Sequence, residues 1–277
     1  MVSVKLKEKS QVPVIEVAET KFPVIDKNQS IMQAIKLMNK YGTDRVVVTD
    51  KGVPVGIMTN KDLMDKLLME RTRRVTAGRM HVSSFMSEDL KTIKPNATVA
   101  QAAKMMIDYN ISSLPVVDDG VLRGLVTKKS LVKAYIGVDD MTAKDVMEPV
   151  VYKAKFGERL IHIRTVMKET EMYFMPVFDY EGKLVGTVSI DEIASALVEF
   201  HEFVPEKHRR ERRKQLCVED VMHRPPTTVM LSDKVEIIAR KILELNVRGV
   251  IVLESNGDVV GVATTDSLTR TLAALAP

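Results

Sequence analysis

Tryptophan is absent from this chain, and Tyr and Phe together make up only 5% of it, which leaves little material for a surface that stacks nucleic-acid bases. A single cysteine, Cys217, excludes an internal disulfide framework and a cysteine-based metal site; a buried structural thiol in a reducing compartment is its expected role. No apolar run approaches the roughly 18 residues of a membrane span. The stretch from Met1 to Ser10 interleaves Lys5, Lys7, Glu8 and Lys9 where a leader would carry an apolar core. A soluble cytoplasmic protein without membrane contact is expected. Also missing are a Walker loop, Gly-x-Gly-x-x-Gly, His-Glu-x-x-His and Cys-x-x-Cys, and His81, His162, His201, His208 and His223 show no ligand-like spacing. No catalysis, no metal and no cofactor are expected. With 41 basic and 37 acidic residues the net charge is only +4, so no general field for nucleic acid is implied.

What the chain does have is repetition. One phrase recurs four times: a glycine, two apolar residues, Ser or Thr, a polar pair, an acidic or small polar residue, then Leu or Ile. It reads Gly56-Ile57-Met58-Thr59-Asn60-Lys61-Asp62-Leu63, Gly124-Leu125-Val126-Thr127-Lys128-Lys129-Ser130-Leu131, Gly186-Thr187-Val188-Ser189-Ile190-Asp191-Glu192-Ile193 and Gly261-Val262-Ala263-Thr264-Thr265-Asp266-Ser267-Leu268. The phrases start 68, 62 and 75 residues apart, and units of that size are small for independent cores and should pack in pairs.

The second copy shows the expected order most clearly. An extended piece around Leu90 to Ile93 stops at Pro95, and Thr98 caps a helix through Asn110 with apolar Val99, Ala102, Ala103, Met106 and Ile107. A strand from Leu114 turns at Asp118-Asp119-Gly120 into its hairpin partner, Val121 to Val126, and a helix begins at Thr127. In the other copies Ser30 caps Ile31 to Tyr41, a helix runs from Leu160 to Glu169, and Ser232 or Asp233 opens one through Leu245. Gly52, Gly120, Gly182 and Gly257 stand where tight hairpins need positive φ. The methionines, 17 in all, fall mainly in apolar positions such as Met38, Met105, Met106 and Met167, as adaptable packing requires.

Leu114-Pro115-Val116-Val117-Asp118-x-Gly120 followed by Gly124-x-x-Thr127, with Asp145-Val146-Met147 and Asp220-Val221-Met222 ahead of later copies, resembles the cystathionine-β-synthase (CBS) domain. Four tandem copies cover about residues 20–275. The resemblance implies an α/β fold of α+β type in which two paired modules form a pseudo-symmetric disc, as in the γ subunits of AMP-activated protein kinases. The first pair would span 1–139, with repeats at about 14–70 and 80–136. The second would span 140–277, with repeats at about 141–200 and 216–275. Ligands would enter clefts between paired repeats, and the chain would be a monomeric disc or a homodimer.

The recurring phrase places a hydroxyl where a strand runs into a helix, with a polar group three residues later. One reading is helix capping, which Ser189-x-x-Glu192 and Thr127-x-x-Ser130 fit. The other is a phosphate site at the helix start, with a carboxylate one turn on for a ribose diol. By resemblance this phrase is the ribose- and phosphate-contacting motif of adenosine-nucleotide sites, and only Thr59-x-x-Asp62 has its full form. Ser130 is short, Glu192 is longer by a methylene, and Ser267 leaves Asp266 displaced around the helix, so Thr127, Ser189 and Thr264 are weaker candidates, with Asp191 or Asp266 as substitutes. Arg45 and Arg248, ahead of their hairpin strands, are candidates for phosphate, or else members of surface ion pairs. Adenine would lie against Val24, Ile25 and Val46.

The leading expectation is a non-catalytic sensor that binds AMP, ADP, ATP or an S-adenosylmethionine-like compound and alters engagement of a protein partner. The alternative is a scaffold or nucleic-acid-associated protein using Arg71-Thr72-Arg73-Arg74 and His208-Arg209-Arg210-Glu211-Arg212-Arg213-Lys214.

Overall fold

The computed structural model describes residues 3–67, 77–205, 207–208 and 215–277. Repeat 1 runs β1 (Val24–Asp26), helix Ile31–Tyr41, β2 (Arg45–Asp50), β3 (Val53–Thr59) and helix Asn60–Leu67. The Ser30 hydroxyl accepts the Gln33 N–H at 3.3 Å and the Gln33 side chain returns a bond to the Ser30 N–H, so the first helix starts on a capping box. Its buried residues, Ile31, Ala34 and Met38, follow the helical period, and Gly42 ends it at φ 62°. β1 lies parallel to β2, and β2 is antiparallel to β3.

Repeat 2 departs from the expectation at two places. The piece around Leu90 to Ile93 contributes a single bridge, Ile93 to Val116, beside β4 (Ser113–Asp118) and β5 (Val121–Thr127). Its last helix covers Lys128–Leu131 and tightens at once into a 3-10 turn, Val132–Tyr135. Repeat 3 contains β6 (Ala154–Lys155), helix Leu160–Thr170, β7 (Phe174–Phe178), β8 (Leu184–Ser189) and helix Ile190–Phe203. Repeat 4 contains β9 (Thr228–Met230), helix Val235–Glu244, β10 (Gly249–Leu253), β11 (Val259–Thr264) and helix Thr265–Ala273. Neither Ser232 nor Asp233 caps the helix of this repeat: it begins after Lys234, and the Asp233 carboxylate instead accepts the Met230 N–H at 2.8 Å. The hairpin glycines have φ of 85°, 78°, 82° and 88° in chain order.

The chain forms two compact units. One comprises Met1–Lys21, Lys91–Val150 and Thr227–Pro277, and so holds repeats 2 and 4; the other, Phe22–Leu90 and Val151–Pro226, holds repeats 1 and 3. Compactness thus groups alternate repeats, a different division from the sequential halves 1–139 and 140–277. Each unit has one shared core. In the even unit Met106, Leu114 and Val126 join Ile238, Ile242 and Leu268. Tyr135 is fully buried among them and donates its hydroxyl to the Leu268 carbonyl at 2.6 Å. In the odd unit Ile31, Met58 and Leu63 join Ile163, Met175 and Leu197, and helix Asn60–Leu67 packs on helix Ile190–Phe203. Sharing a core between two repeats supplies the buried area that about 60 residues alone would lack.

The glycine that opens each phrase has its own cause, and it is not a positive φ. A lead-in segment crosses the sheet at that residue. A Cβ on Gly56 would stand 2.5 Å from the Ser87 carbonyl oxygen, on Gly186 2.7 Å from that of His223, and on Gly261 2.8 Å from that of Glu148. On Gly124 it would meet the Ala18 methyl at 3.1 Å and the Glu19 carbonyl at 3.3 Å. The next residue of each phrase pairs with the crossing segment: Ile57 with Ser87, Leu125 with Glu19, Thr187 with His223 and Val262 with Glu148. So the segment that precedes repeat 2 in sequence crosses repeat 1 and the one preceding repeat 1 crosses repeat 2; repeats 3 and 4 do the same.

Candidate functional site

The strand-to-helix corner is built alike in all four repeats. The phrase hydroxyl residue ends the second hairpin strand opposite the first residue of the other: Thr59 faces Arg45, Thr127 faces Ser113, Ser189 faces Phe174 and Thr264 faces Gly249. One residue earlier, a carbonyl holds the helix start. Asp44, Ser112, Tyr173 and Arg248 accept the N–H of Asn60, Lys128, Ile190 and Thr265 at 2.9, 3.0, 3.1 and 2.9 Å. Arg45 and Arg248 therefore occupy different positions of the repeat. Arg45 is buried at 4% exposure and forks onto the Asp44 carboxylate, Nε at 2.7 Å and NH2 at 2.8 Å. Arg248 stands half-buried at the position that Asp44 holds in repeat 1.

All four corners are capped. Asp62 Oδ2 accepts both the Thr59 N–H at 2.8 Å and its hydroxyl at 2.7 Å, while the Asp62 N–H donates weakly to Thr59 Oγ1 at 3.3 Å. Glu192 Oε2 takes the same two bonds from Ser189. In repeats 2 and 4 the fourth member is a serine whose only oxygen is used twice. Ser130 Oγ accepts the Thr127 N–H and donates to the Thr127 carbonyl, and Ser267 does likewise with Thr264. A difference in spare capacity follows: Asp62 Oδ1 takes no hydrogen bond among the described residues, whereas the two serines are saturated. Burial raises the Asp62 carboxyl above the usual range, against the lowering effect of its bonds from Thr59.

Within each unit the two corners meet. In the odd unit Asn60 Nδ2 donates to Asp191 Oδ1 at 2.9 Å, and the Lys61 ammonium lies 4.8 Å from the Tyr173 ring centroid. In the even unit the same two phrase positions are an ion pair, Lys128 Nζ to Asp266 Oδ1 at 2.7 Å, with side chains 11% and 21% exposed. Burial works against the Asp266 carboxylate, but Lys128, Arg248 and Arg270 outweigh it and hold the group below its ordinary value. Asp191 and Asp266, the conceivable substitutes for a ribose acceptor, are both engaged across the shared cores. Around the odd corners the carboxylates of Asp44, Asp62, Asp191 and Glu192 face Arg45 and Lys61. Around the even ones Lys128, Lys129 and Arg248 face Asp266 and Glu19, whose carboxylate lies 3.4 Å from Thr127 Oγ1.

Of the three residues expected against adenine, Ile25 and Val46 are core side chains, 6% and 0% exposed, while Val24 projects from β1 at 44%. Cys217 is half-buried, not buried; its Sγ donates to the Gln215 carbonyl at 3.2 Å, and burial pushes its thiol up. The arginine clusters at Arg71 to Arg74 and Arg209 to Lys214 lie outside the described residues. No helix among the described residues is long and apolar enough to cross a membrane. Sequence reasoning missed Lys128, the base in the buried pair, because an alternating polar phrase gives no sign of which positions a second repeat will cover.

A model of the CBS domain family matches residues 14–69, 82–137, 143–199 and 218–274. The chain belongs to the CBS-domain family. It is 26% identical, over 275 residues, 91% of this chain and 96% of the other, to protein MJ1225 of Methanocaldococcus jannaschii. The crystal structure of MJ1225, described as that of a proposed archaeal homologue of g-AMPK, superposes with a TM-score of 0.78 at 23% identity, covering 94% of this chain and 99% of that one. An uncharacterized conserved protein from Pyrococcus horikoshii superposes with a TM-score of 0.61 at 18% identity, covering 94% and 100%. These two likenesses establish the fold alone. Homoserine O-acetyltransferase of Methanohalobium evestigatum is 30% identical over 121 residues, 43% of this chain but only 24% of that enzyme. CBS-domain proteins are typically regulatory, and this chain is four such domains in series.

Proposed function

We propose that this CBS-domain protein is a non-catalytic sensor of adenosine-containing ligands, with AMP, ADP and ATP the leading candidates and S-adenosylmethionine-like compounds the runners-up. The observation that carries the reading is the division of labour within Asp62: one oxygen holds Thr59 and the helix start, and the other is left to accept ribose hydroxyls. Glu192 offers the same arrangement beside Ser189, a site that sequence comparison with Asp62 ranks lower. Ser130 and Ser267 supply no such acceptor. The anionic end of a nucleotide is better served by Lys128 and Arg248 than by Arg45, whose guanidinium is already forked onto Asp44. Sequential pairing of repeats, 1 with 2 and 3 with 4, is supported by the reciprocal crossing of their lead-in segments.

Ligand binding would bias a partner interaction through unequal affinity for two conformations. Calorimetric titration of the whole chain with AMP, ADP, ATP and adenosine tests the reading. Binding is expected, weakened about tenfold or more by Asp62→Ala and little changed by Ser130→Ala. Absence of heat and of any thermal shift with every one of these compounds at millimolar concentration would overturn it, as would an Asp62→Ala protein that binds like the parent.

A further inference from the structure

Repeat 3 carries an aromatic and basic surface that its sister repeats lack, away from the strand-to-helix corners. Phe156, which follows β6, meets Tyr180 of the β7–β8 turn edge to face, with centroids 6.0 Å apart and planes at 63°. The Arg224 guanidinium lies over the Phe156 ring at 4.8 Å, and the Lys153 ammonium over Phe178 at 5.2 Å. Phe156 and Phe178 are neighbours through the Phe156 N–H, which donates to the Phe178 carbonyl at 2.9 Å. Tyr180 is 83% exposed, the most exposed large apolar residue of the chain, and Arg224 is exposed beside it. The corresponding stretches of repeat 1, Lys27-Asn28 and Lys51-Gly52, contain no ring. A chain with only 13 Tyr and Phe residues and no Trp has placed three of them together at one edge of a sheet in water.

Charge indicates what would cover them. Lys153, Lys155, Lys183 and Arg224 are exposed, and none forms an ion pair among the described residues. The nearby carboxylates are mostly committed. Glu158 is bonded to Tyr152 and to the Lys155 N–H, Asp179 accepts the N–H groups of Glu181 and Lys183, and Asp220 accepts that of Cys217. That leaves Glu181 and Glu219 against four cations. Ring faces also matter. One face of Phe156 is occupied by Arg224 and one face of Phe178 by Lys153, so a nucleobase would have to displace a cation in order to stack. A guanidinium held flat on a ring keeps its outer N–H groups in a plane, the arrangement a carboxylate takes up bidentately.

We infer that this surface, Phe156, Phe178 and Tyr180 framed by Lys153, Lys155, Lys183 and Arg224, docks an acidic segment of a protein partner in which carboxylates alternate with aromatic side chains. Carboxylates bridge Arg224 and the lysines; an aromatic side chain packs on Tyr180. Arg and Tyr are the residue types on which interface energy concentrates.

Fluorescence anisotropy of the full chain with a fluorescein-labelled glutamate–tyrosine copolymer tests the inference, with polyglutamate and single-stranded oligothymidylate as comparison probes. The copolymer should bind more tightly than polyglutamate. Arg224→Ala combined with Lys153→Ala should weaken it about tenfold. Tyr180→Ala should weaken the copolymer but leave polyglutamate unchanged, and neutralising Arg209, Arg210, Arg212 and Arg213 should have a smaller effect than the patch variants. All the substituted side chains of the patch variants are exposed; an unchanged thermal midpoint verifies the fold, and unchanged AMP titration separates this surface from the nucleotide reading. Equal binding by parent and patch variants overturns the inference, as does a patch that binds oligothymidylate in preference to the copolymer.

Discussion

Substituting Gly56 by Ala adds one methyl group at a place where the backbone conformation tolerates it but the surroundings do not. Gly56 has no positive φ, so an L side chain meets no intrinsic strain there, and an unencumbered Gly→Ala would stabilise by about 0.4–1 kcal/mol through the unfolded chain. Here the new Cβ would lie 2.5 Å from the Ser87 carbonyl oxygen, also 3.1 Å from Met86 Sδ, and backbone cannot swing aside as a side-chain tip can. To reach even 3.0 Å the crossing segment must retreat, stretching the reciprocal bonds between Ile57 and Ser87, now 3.2 and 2.9 Å. Overpacking costs about 1–3 kcal/mol. Two weakened backbone bonds add up to about 1 kcal/mol each. The expected net loss is about 2–4 kcal/mol. Gly186→Ala should fall close behind, since its Cβ meets the His223 carbonyl at 2.7 Å. Gly124→Ala, with contacts of 3.1 and 3.3 Å, should cost under about 1 kcal/mol, and Gly78→Ala, with nothing within 4 Å, should be neutral or stabilising. Urea unfolding ranks the four variants, and hydrogen exchange at the Ile57 and Ser87 amides locates the loss. If Gly124→Ala proved as costly as Gly56→Ala, or Gly56→Ala left both amides as protected as before, crossing of the lead-in segments would not be what the phrase glycine serves.

Two carboxylates should give opposite pH signatures in urea unfolding. The Asp266 carboxyl is lowered in the folded chain, so its stabilising contribution is present above the unfolded value near 3.9 and fades as pH falls through the folded one; Asp266→Asn should cost about 2–4 kcal/mol at neutral pH, by stranding Lys128, and less in acid. Asp62 is raised, so its ionisation opposes folding: stability relative to Asp62→Asn should decline as pH rises from the unfolded value through the folded one, and a flat difference would contradict the burial assigned to it. Tyr135→Phe removes the hydroxyl that reaches the Leu268 carbonyl in the even core and should lower stability by about 1 kcal/mol, visible as a reduced thermal midpoint.

Repeat boundaries were legible because they are written in local chemistry: Ser30 and Thr98 cap their helices, and Gly52, Gly120, Gly182 and Gly257 turn their hairpins. Where repeat 4 departed, at Lys234, a tertiary contact decided the matter: the Val235 N–H is taken by the Met141 carbonyl from a lead-in segment, and Asp233 turns back to Met230. The phrase glycine was visible, yet its cause was not, because the carbonyl that excludes a side chain arrives from 31 to 113 residues away in sequence, as with Ser87 to Gly56 and Glu148 to Gly261. Site residues were the least legible. Thr59 and Asp62 read correctly as partners from their spacing alone, but the matching of Arg45 with Arg248 slipped by one residue, since only strand register shows that Gly249 is the counterpart of Arg45.

That one-residue offset explains how four copies of a phrase acquire unequal chemistry. The position ahead of each first hairpin strand holds Asp44, Ser112, Tyr173 and Arg248, and its backbone does the same task in every repeat by accepting the first helical N–H. Because the carbonyl carries the structural duty, the side chain is free to vary in charge. In repeat 1 it neutralises Arg45; in repeat 4 it adds to the field around Asp266. Alternate repeats then share a core, so each corner is completed by residues two repeats distant, and Lys128–Asp266 replaces Asn60–Asp191 at matching positions. Exchanging these pairs tests whether charge at the junction, and not the phrase hydroxyl, sets which unit receives an anion. With Lys128→Asn and Asp266→Asn together, no buried charge is left unpaired, so the fold should persist. ATP binding should weaken far more than adenosine binding. Equal losses for both ligands would assign the junction a structural role only.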